Sequence, residues 1–113
     1  MNKILLIGGN CPLGRSIIAS APCAIDAPTS AEFDLSDTEQ IAEFNFSGYD
    51  TLIINARAGG GQRYLFGDWP TELLSYNLDV NIRGITLLLQ RWLNHTDSGT
   101  VVFTGSDGIR HQA

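Results

Sequence analysis

Apolar residues fall in short unbroken blocks rather than alternating with polar ones. Positions 4–7 of Lys3-Ile-Leu-Leu-Ile7 form one such block, stopped by Gly8-Gly9-Asn10. A continuous apolar run of this length predicts a strand covered on both faces, as in a parallel sheet. Residues 51–55 and 100–104 show the same pattern, and the shorter segments 23–26 and 33–35 read as two further strands. Between these blocks the spacing becomes helical. Pro12 suits a first helical turn, where its missing N–H is of no consequence. Leu13, Ile17 and Ile18 follow it, and Pro22 marks the end of that helix. Ser36 with Glu39 three residues on reads as a capping box, opening a helix whose apolar side is Ile41, Ala42 and Phe44. A long helix opens at Pro70 or Thr71 and carries Leu74, Leu78, Ile82, Ile85, Leu89 and Trp92 at steps of three and four.

The order is strand, helix, strand, strand, helix, strand, helix, strand. It predicts a doubly wound α/β fold, with a mostly parallel sheet of five strands and helices on both faces. Crossovers of this kind are right-handed and set ligands at the carboxyl ends of the strands.

Length and charge narrow the partners. The 113 residues make one domain, 1–113. Charged residues are 17% and the net charge is -5, which excludes the basic stripe a nucleic-acid binder needs. Cys11 and Cys23 lack zinc spacing and read as reduced thiols, so no metal site is expected. The run at 4–7 is too short for a secretory signal. The stretch 82–93 is broken by Arg83, Gly84, Gln90 and Arg91, so no membrane span is expected. A soluble, cytoplasmic protein follows as the expectation.

Gly8 and Gly14 stand where a dinucleotide-binding turn leaves a first strand and enters a first helix. The helix N-terminus there offers free N–H groups and partial positive charge to a pyrophosphate. Gly8, Gly9, Cys11, Pro12, Leu13 and Gly14 are the candidate binding residues. The middle glycine of such a turn is missing, and Cys11 or Pro12 stands in its place, depending on the spacing taken. A tight turn with close helix packing reads equally from this loop. So does a phosphate loop, Gly9-x-x-x-x-Gly14-Arg15-Ser16, although arginine's planar head suits it poorly where lysine is needed. Residues 51–55 also end in Asn55, where a phosphate-loop enzyme would carry a magnesium-holding aspartate.

Four segments together resemble the short-chain dehydrogenase/reductase (SDR) family, whose domain is Rossmann-like. Asp34-Leu35-Ser36-Asp37 is similar to that family's adenine-contacting Asp-hydrophobic pair. Asp50-Thr-Leu-Ile-Ile-Asn-Ala56 resembles the strand ending in Asn-Asn-Ala-Gly, with Asn55 and Ala56 matching and Ile54 and Arg57 departing. Asn81-Ile-Arg-Gly84 resembles the Asn-x-x-Gly around the active-site asparagine. Gly99-Thr-Val-Val-Phe-Thr-Gly-Ser106 looks like the fifth strand running into the catalytic serine. The resemblance implies Asn81 and Ser106 as catalytic residues and a nicotinamide dinucleotide as cofactor. Asp26, 18 residues after Gly8, ends the second strand where an acid bonds the ribose hydroxyls and repels an added phosphate. NAD is therefore expected over NADP. The plainer reading of Asp26 is a surface acid at a strand end.

One part of the pattern is absent. The family's reaction uses a tyrosine for proton transfer and a lysine four residues later that lowers its pKa. That pair is expected about a dozen residues past the serine, and the sequence ends seven residues after Ser106. Lys3 is the only lysine, and Tyr49, Tyr64 and Tyr76 are followed four residues on by Ile53, Asp68 and Val80. The chain as given thus carries half an active site and is expected to be inactive alone.

Three functions compete. The first is the cofactor-binding half of an NAD(P)-dependent oxidoreductase acting on a carbonyl or alcohol. The second is a non-catalytic dinucleotide-binding or regulatory module, and the third a degenerate truncated product. Without a following helix and strand, residues 100–104 become an exposed sheet edge. A homo-oligomer is the expectation.

Overall fold

The computed structural model describes residues 3–56 and 66–104. Among these lie four strands: β1 (Lys3–Ile7), β2 (Ala24–Asp26), β3 (Thr51–Ile54) and β4 (Thr100–Phe103). All pair in parallel, in the order β2-β1-β3-β4. The helices are α1 (Pro12–Ser20), α2 (Thr38–Glu43), α3 (Thr71–Leu78) and α4 (Ile85–His95). A π-helical turn, Asp79–Gly84, joins α3 to α4 without a break, because Asp79 and Gly84 both keep right-handed helical angles.

β1 is central because its side chains find cover on both sides: Leu5, Leu6 and Ile7 are all buried. Leu5 and Ile7 join Leu52 and Ile54 on one face, under Val80, Ile85, Leu88 and Trp92 of the long helix. Phe33, Leu35, Ile41 and Phe46 complete that core. Phe46 meets Trp92 edge-on at 6.0 Å, a favoured aromatic geometry. Leu6 points to the opposite face, since strand side chains alternate. There Ile18 of α1 lies with it beside Gly9. Helices therefore cover both faces, and the fold is the doubly wound α/β sheet that the pattern predicts.

Three local expectations are corrected. Residues 33–35 form no strand, so the sheet has four strands among the described residues rather than five, and Thr100–Phe103 is the fourth. The backbone of the 29–36 segment is engaged locally instead. Thr29 O accepts from the N–H groups of Glu32 and Phe33, Gln40 Oε1 from Asp34 N–H, and Asp34 Oδ1 from Ser36 N–H and hydroxyl. Side-chain bonds of this kind compete with ladder bonds, while Phe33 and Leu35 still reach the core. Second, the cap of α2 is Asp37, not Ser36. Asp37 Oδ1 accepts from Glu39 N–H at 3.1 Å and Gln40 N–H at 3.2 Å, because Ser36 is already turned toward Asp34. Third, α1 leaves Leu13 and Ile18 exposed, so its apolar positions are only partly covered.

Gly84 is a glycine for steric reasons. A Cβ there would run into the carbonyl of Leu35, so its absence lets the π-helical turn lie against the 33–35 turn. At the sheet edge, β4 presents exposed side chains throughout, with Phe103 at 56%.

Candidate functional site

β1 hands over to the glycine loop at Gly8, whose φ of 96° is one that side-chain-bearing residues rarely adopt. A Cβ at Gly8 would stand 2.7 Å from Ala56 Cα, so the loop passes directly against the chain leaving β3. Gly14, in the first turn of α1, makes a second close approach. A Cβ there would stand 2.5 Å from Gly8 O and 2.7 Å from Gly9 Cα. Glycines at both ends of the loop thus press the N-terminus of α1 onto the carboxyl end of β1.

Cys11 caps that N-terminus. Its Sγ accepts from Gly14 N–H at 3.4 Å and from Asn55 Nδ2 at 3.1 Å. The Gly14 N–H is the main reason the thiol pKa lies below its ordinary value. Burial opposes it, and the Asn55 amide, the Leu13 N–H and the Arg15 charge add to the lowering. These donors favour the thiolate form of this half-buried cysteine more than in a free one.

Asn55 ties the elements together. Its Nδ2 also donates to Gly8 O at 3.0 Å, and its Oδ1 accepts from the Thr104 hydroxyl at 2.8 Å. The ends of β1, β3 and β4 are therefore joined through one side chain. The chain leaves β1 toward β2 on one side and β3 toward β4 on the other. The crevice outside β1 and β3 is the switch point at which open α/β sheets bind ligands.

The structure brings Gly8, Gly9, Cys11, Pro12, Leu13, Gly14, Asn55 and Ala56 together at this crevice. Asp26 is engaged elsewhere: its Oδ2 lies 2.9 Å from Lys3 Nζ and accepts from the Tyr49 hydroxyl at 2.6 Å. Lys3 opens β1 and Tyr49 precedes β3, so both partners belong to the amino end of the sheet. Asp34 holds Ser36, and Leu35 is buried in the core. Asn81 sits in the π-helical turn, its Nδ2 3.5 Å from Asn77 Oδ1. Ser106 lies outside the described residues.

Two contributors escaped the sequence reading. Thr104 could have been flagged as the polar residue ending a buried-type strand. Ala27 carried no signal: its methyl lies where a Cβ on Gly9 would come within 2.9 Å. Among the described residues no cluster of histidine, cysteine or carboxylate side chains could hold a metal, and no helix is long and apolar enough to cross a membrane.

No protein-family model matches the chain, and no curated protein matches it. Solved structures do. A short-chain dehydrogenase family protein from Francisella tularensis subsp. tularensis SCHU S4 superposes with a TM-score of 0.72 at 18% identity, over 95% of this chain and 52% of that one. A small-chain dehydrogenase in complex with NADPH gives 0.72 at 17% identity, over 93% and 51%. An NADH-dependent reductase complexed with NAD gives 0.64 at 17% identity, over 99% and 62%. The chain spans about half the length of the first two. At these identities the likeness establishes the fold: this chain has the doubly wound α/β fold found in short-chain dehydrogenases.

Proposed function

We propose that the chain is the dinucleotide-binding portion of a short-chain-type, NAD(P)-dependent oxidoreductase. The observation that carries this reading is the glycine cradle. Added Cβ atoms at Gly8 and Gly14 would strike backbone, so the N-terminus of α1 sits directly on the carboxyl end of β1, at the switch point between β1 and β3. Such a terminus suits a pyrophosphate. The donors at hand are the N–H groups of Leu13 and Gly14, and Pro12 contributes none. Gly14 N–H now faces Cys11 Sγ, so a phosphate that takes this donor displaces the thiol. Asn55 and Ala56 wall the crevice, and the resemblance alone assigns Asp34 and Leu35 to the adenine end.

A bound nicotinamide supplies hydride exchange with a carbonyl or alcohol carbon. In this reading Asn81 and Ser106 take the catalytic roles that the resemblance implies, and solved proteins of the same fold in complex with NADPH and with NAD support the choice of cofactor class. The test is calorimetric titration of the chain with NADH and with NADPH. Saturable binding of either supports the reading. No heat at millimolar concentration of both overturns it.

A further inference from the structure

Asn55 serves the glycine loop only in one orientation. Its backbone is already held, with its N–H on Ile7 O at 2.8 Å, so the side-chain torsions are what remain to be fixed. The two amide protons reach two acceptors at once, Gly8 O at 3.0 Å and Cys11 Sγ at 3.1 Å. The second acceptor is peculiar to this loop, because Cys11 brings a side chain where a middle glycine would bring none. Gly8 O can only accept, which decides that the nitrogen end of the amide faces the loop. The oxygen end then faces the end of β4, where the Thr104 hydroxyl meets it at 2.8 Å.

A hydroxyl has one proton to give. Thr104 Oγ1 also stands 3.3 Å from Ile54 O, but that carbonyl already accepts the Thr104 N–H at 3.1 Å. The shorter contact, to Asn55 Oδ1, takes the proton. Without the hydroxyl a half-buried amide oxygen loses this donor, and the side chain turns to find another. The loop is what such a turn disturbs. Gly8 O is the atom that a Cβ on Gly14 would strike first, at 2.5 Å, and Cys11 Sγ holds the Gly14 N–H at 3.4 Å. The two acceptors of Asn55 are therefore the two atoms against which α1 begins.

We infer that Thr104 is a positioning residue for the glycine loop: its hydroxyl fixes the Asn55 amide, and the amide fixes Gly8 O and Cys11 Sγ at the N-terminus of α1. Thr104 acts through Asn55 and not on the ligand. The consequence for cofactor affinity rests on the dinucleotide reading above, whereas the consequence for Cys11 does not.

The experiment compares the wild-type chain with Thr104→Val and Thr104→Ser by two readouts: the pH profile of Cys11 alkylation by iodoacetamide, and the NADH dissociation constant. Valine keeps the branched shape of threonine and removes the hydroxyl, while serine keeps the hydroxyl and removes the methyl. In Thr104→Val the midpoint of the Cys11 profile should move up, because the Gly14 N–H stays on the sulfur but the Asn55 amide leaves it. NADH should bind about three- to tenfold more weakly, the worth of one hydrogen bond. Thr104→Ser should match wild type in both readouts. The inference is overturned if Thr104→Val leaves the Cys11 profile unchanged. It is overturned as well if Thr104→Ser shifts that profile as far as valine does, which would assign the effect to the methyl group. In the wild-type chain, NMR relaxation should find the Asn55 side-chain amide as rigid as its backbone. A freely reorienting amide overturns the inference even if Thr104→Val does not fold. Absence of NADH and NADPH binding to the wild type is a different outcome: it overturns the dinucleotide reading, while the Cys11 profile still decides the role of Thr104.

Discussion

Gly14→Ala should destabilise the chain even though alanine is the better helix former. In a helix interior the exchange gains up to about 1 kcal/mol in propensity. Against this, the new Cβ would stand 2.5 Å from Gly8 O and 2.7 Å from both Gly9 Cα and Gly9 C. Carbon contacts are comfortable at about 3.5–4.0 Å, so α1 must move out by about 1 Å. The atoms struck are all backbone, and none can rotate away. Overpacking of this kind costs about 1–3 kcal/mol, and a mid-range cost of about 2 kcal/mol leaves a net loss of about 1 kcal/mol. For a domain near this size that lowers the melting temperature by about 4–8 °C. Thermal unfolding followed by circular dichroism measures it. Gly67→Ala is the control, since a Cβ there meets nothing within 4 Å. The same displacement lifts the N-terminus of α1 from the crevice, so dinucleotide affinity should fall about tenfold. A Gly14→Ala chain that melts at or above wild type would refute the reasoning: α1 would then not be seated on the loop.

Other predictions follow from the same geometry. Burial, with the Asp26 carboxylate adding, raises the Tyr49 pKa to about 12. The fold thus favours the protonated phenol, and this contribution is whole below pH ~10 and lost as pH rises from about 10 to 12. Asp26 has the opposite sign. The Tyr49 hydroxyl and Lys3 hold its pKa below 3.8, so its contribution is present above that value and lost as pH falls through the lower folded one. Urea unfolding at several pH values measures both arms, and Tyr49→Phe should flatten the alkaline one; an unchanged alkaline arm counts against the assignment. Iodoacetamide at neutral pH should label Cys11 ahead of Cys23 in peptide mass maps, and saturating NADH should protect Cys11. Unaltered labelling under saturation would mean that the cofactor does not displace the thiol. Because β4 leaves Val102 and Phe103 at 44% and 56% exposure on the sheet edge, the chain should self-associate at micromolar concentration in light scattering. Phe103→Lys should restore a monomer, and a monomeric wild type contradicts this.

Much of this fold can be read from spacing. The run at 4–7 and the glycine pair at Gly8 and Gly14 encode their elements locally, and the structure places each where the pattern puts it. The step pattern from Leu74 to Trp92 marks the long helix, but the π-helical turn Asp79–Gly84 shifts its face, so Leu78 and Ile82 are exposed while Val80 and Leu88 are buried. What escapes the sequence is set by distant partners. Phe33 and Leu35 look like a strand because they are buried, but Thr29, Ser36 and Gln40 supply their segment with turn bonds instead. Asp26 has the right offset from Gly8 for a ribose contact, and only the fold brings Tyr49, 23 residues away, onto its carboxylate. Gly84 is visible as part of an Asn-x-x-Gly segment, but its contact with the Leu35 carbonyl is not. The exposed edge at β4 is expected from the order of elements and not from its own residues, which are all apolar but for Thr100. Hydrophobic pattern reports which residues prefer cover, not whether cover arrives.

The most direct test of the central claim is to map NADH onto the chain by amide chemical shifts. The account predicts that saturating NADH moves the amides of Gly8, Gly9, Cys11, Leu13, Gly14, Asn55 and Ala56, and leaves Lys3 and Tyr49 in place. Shifts confined to the amino end of the sheet, or none at millimolar NADH, would contradict it.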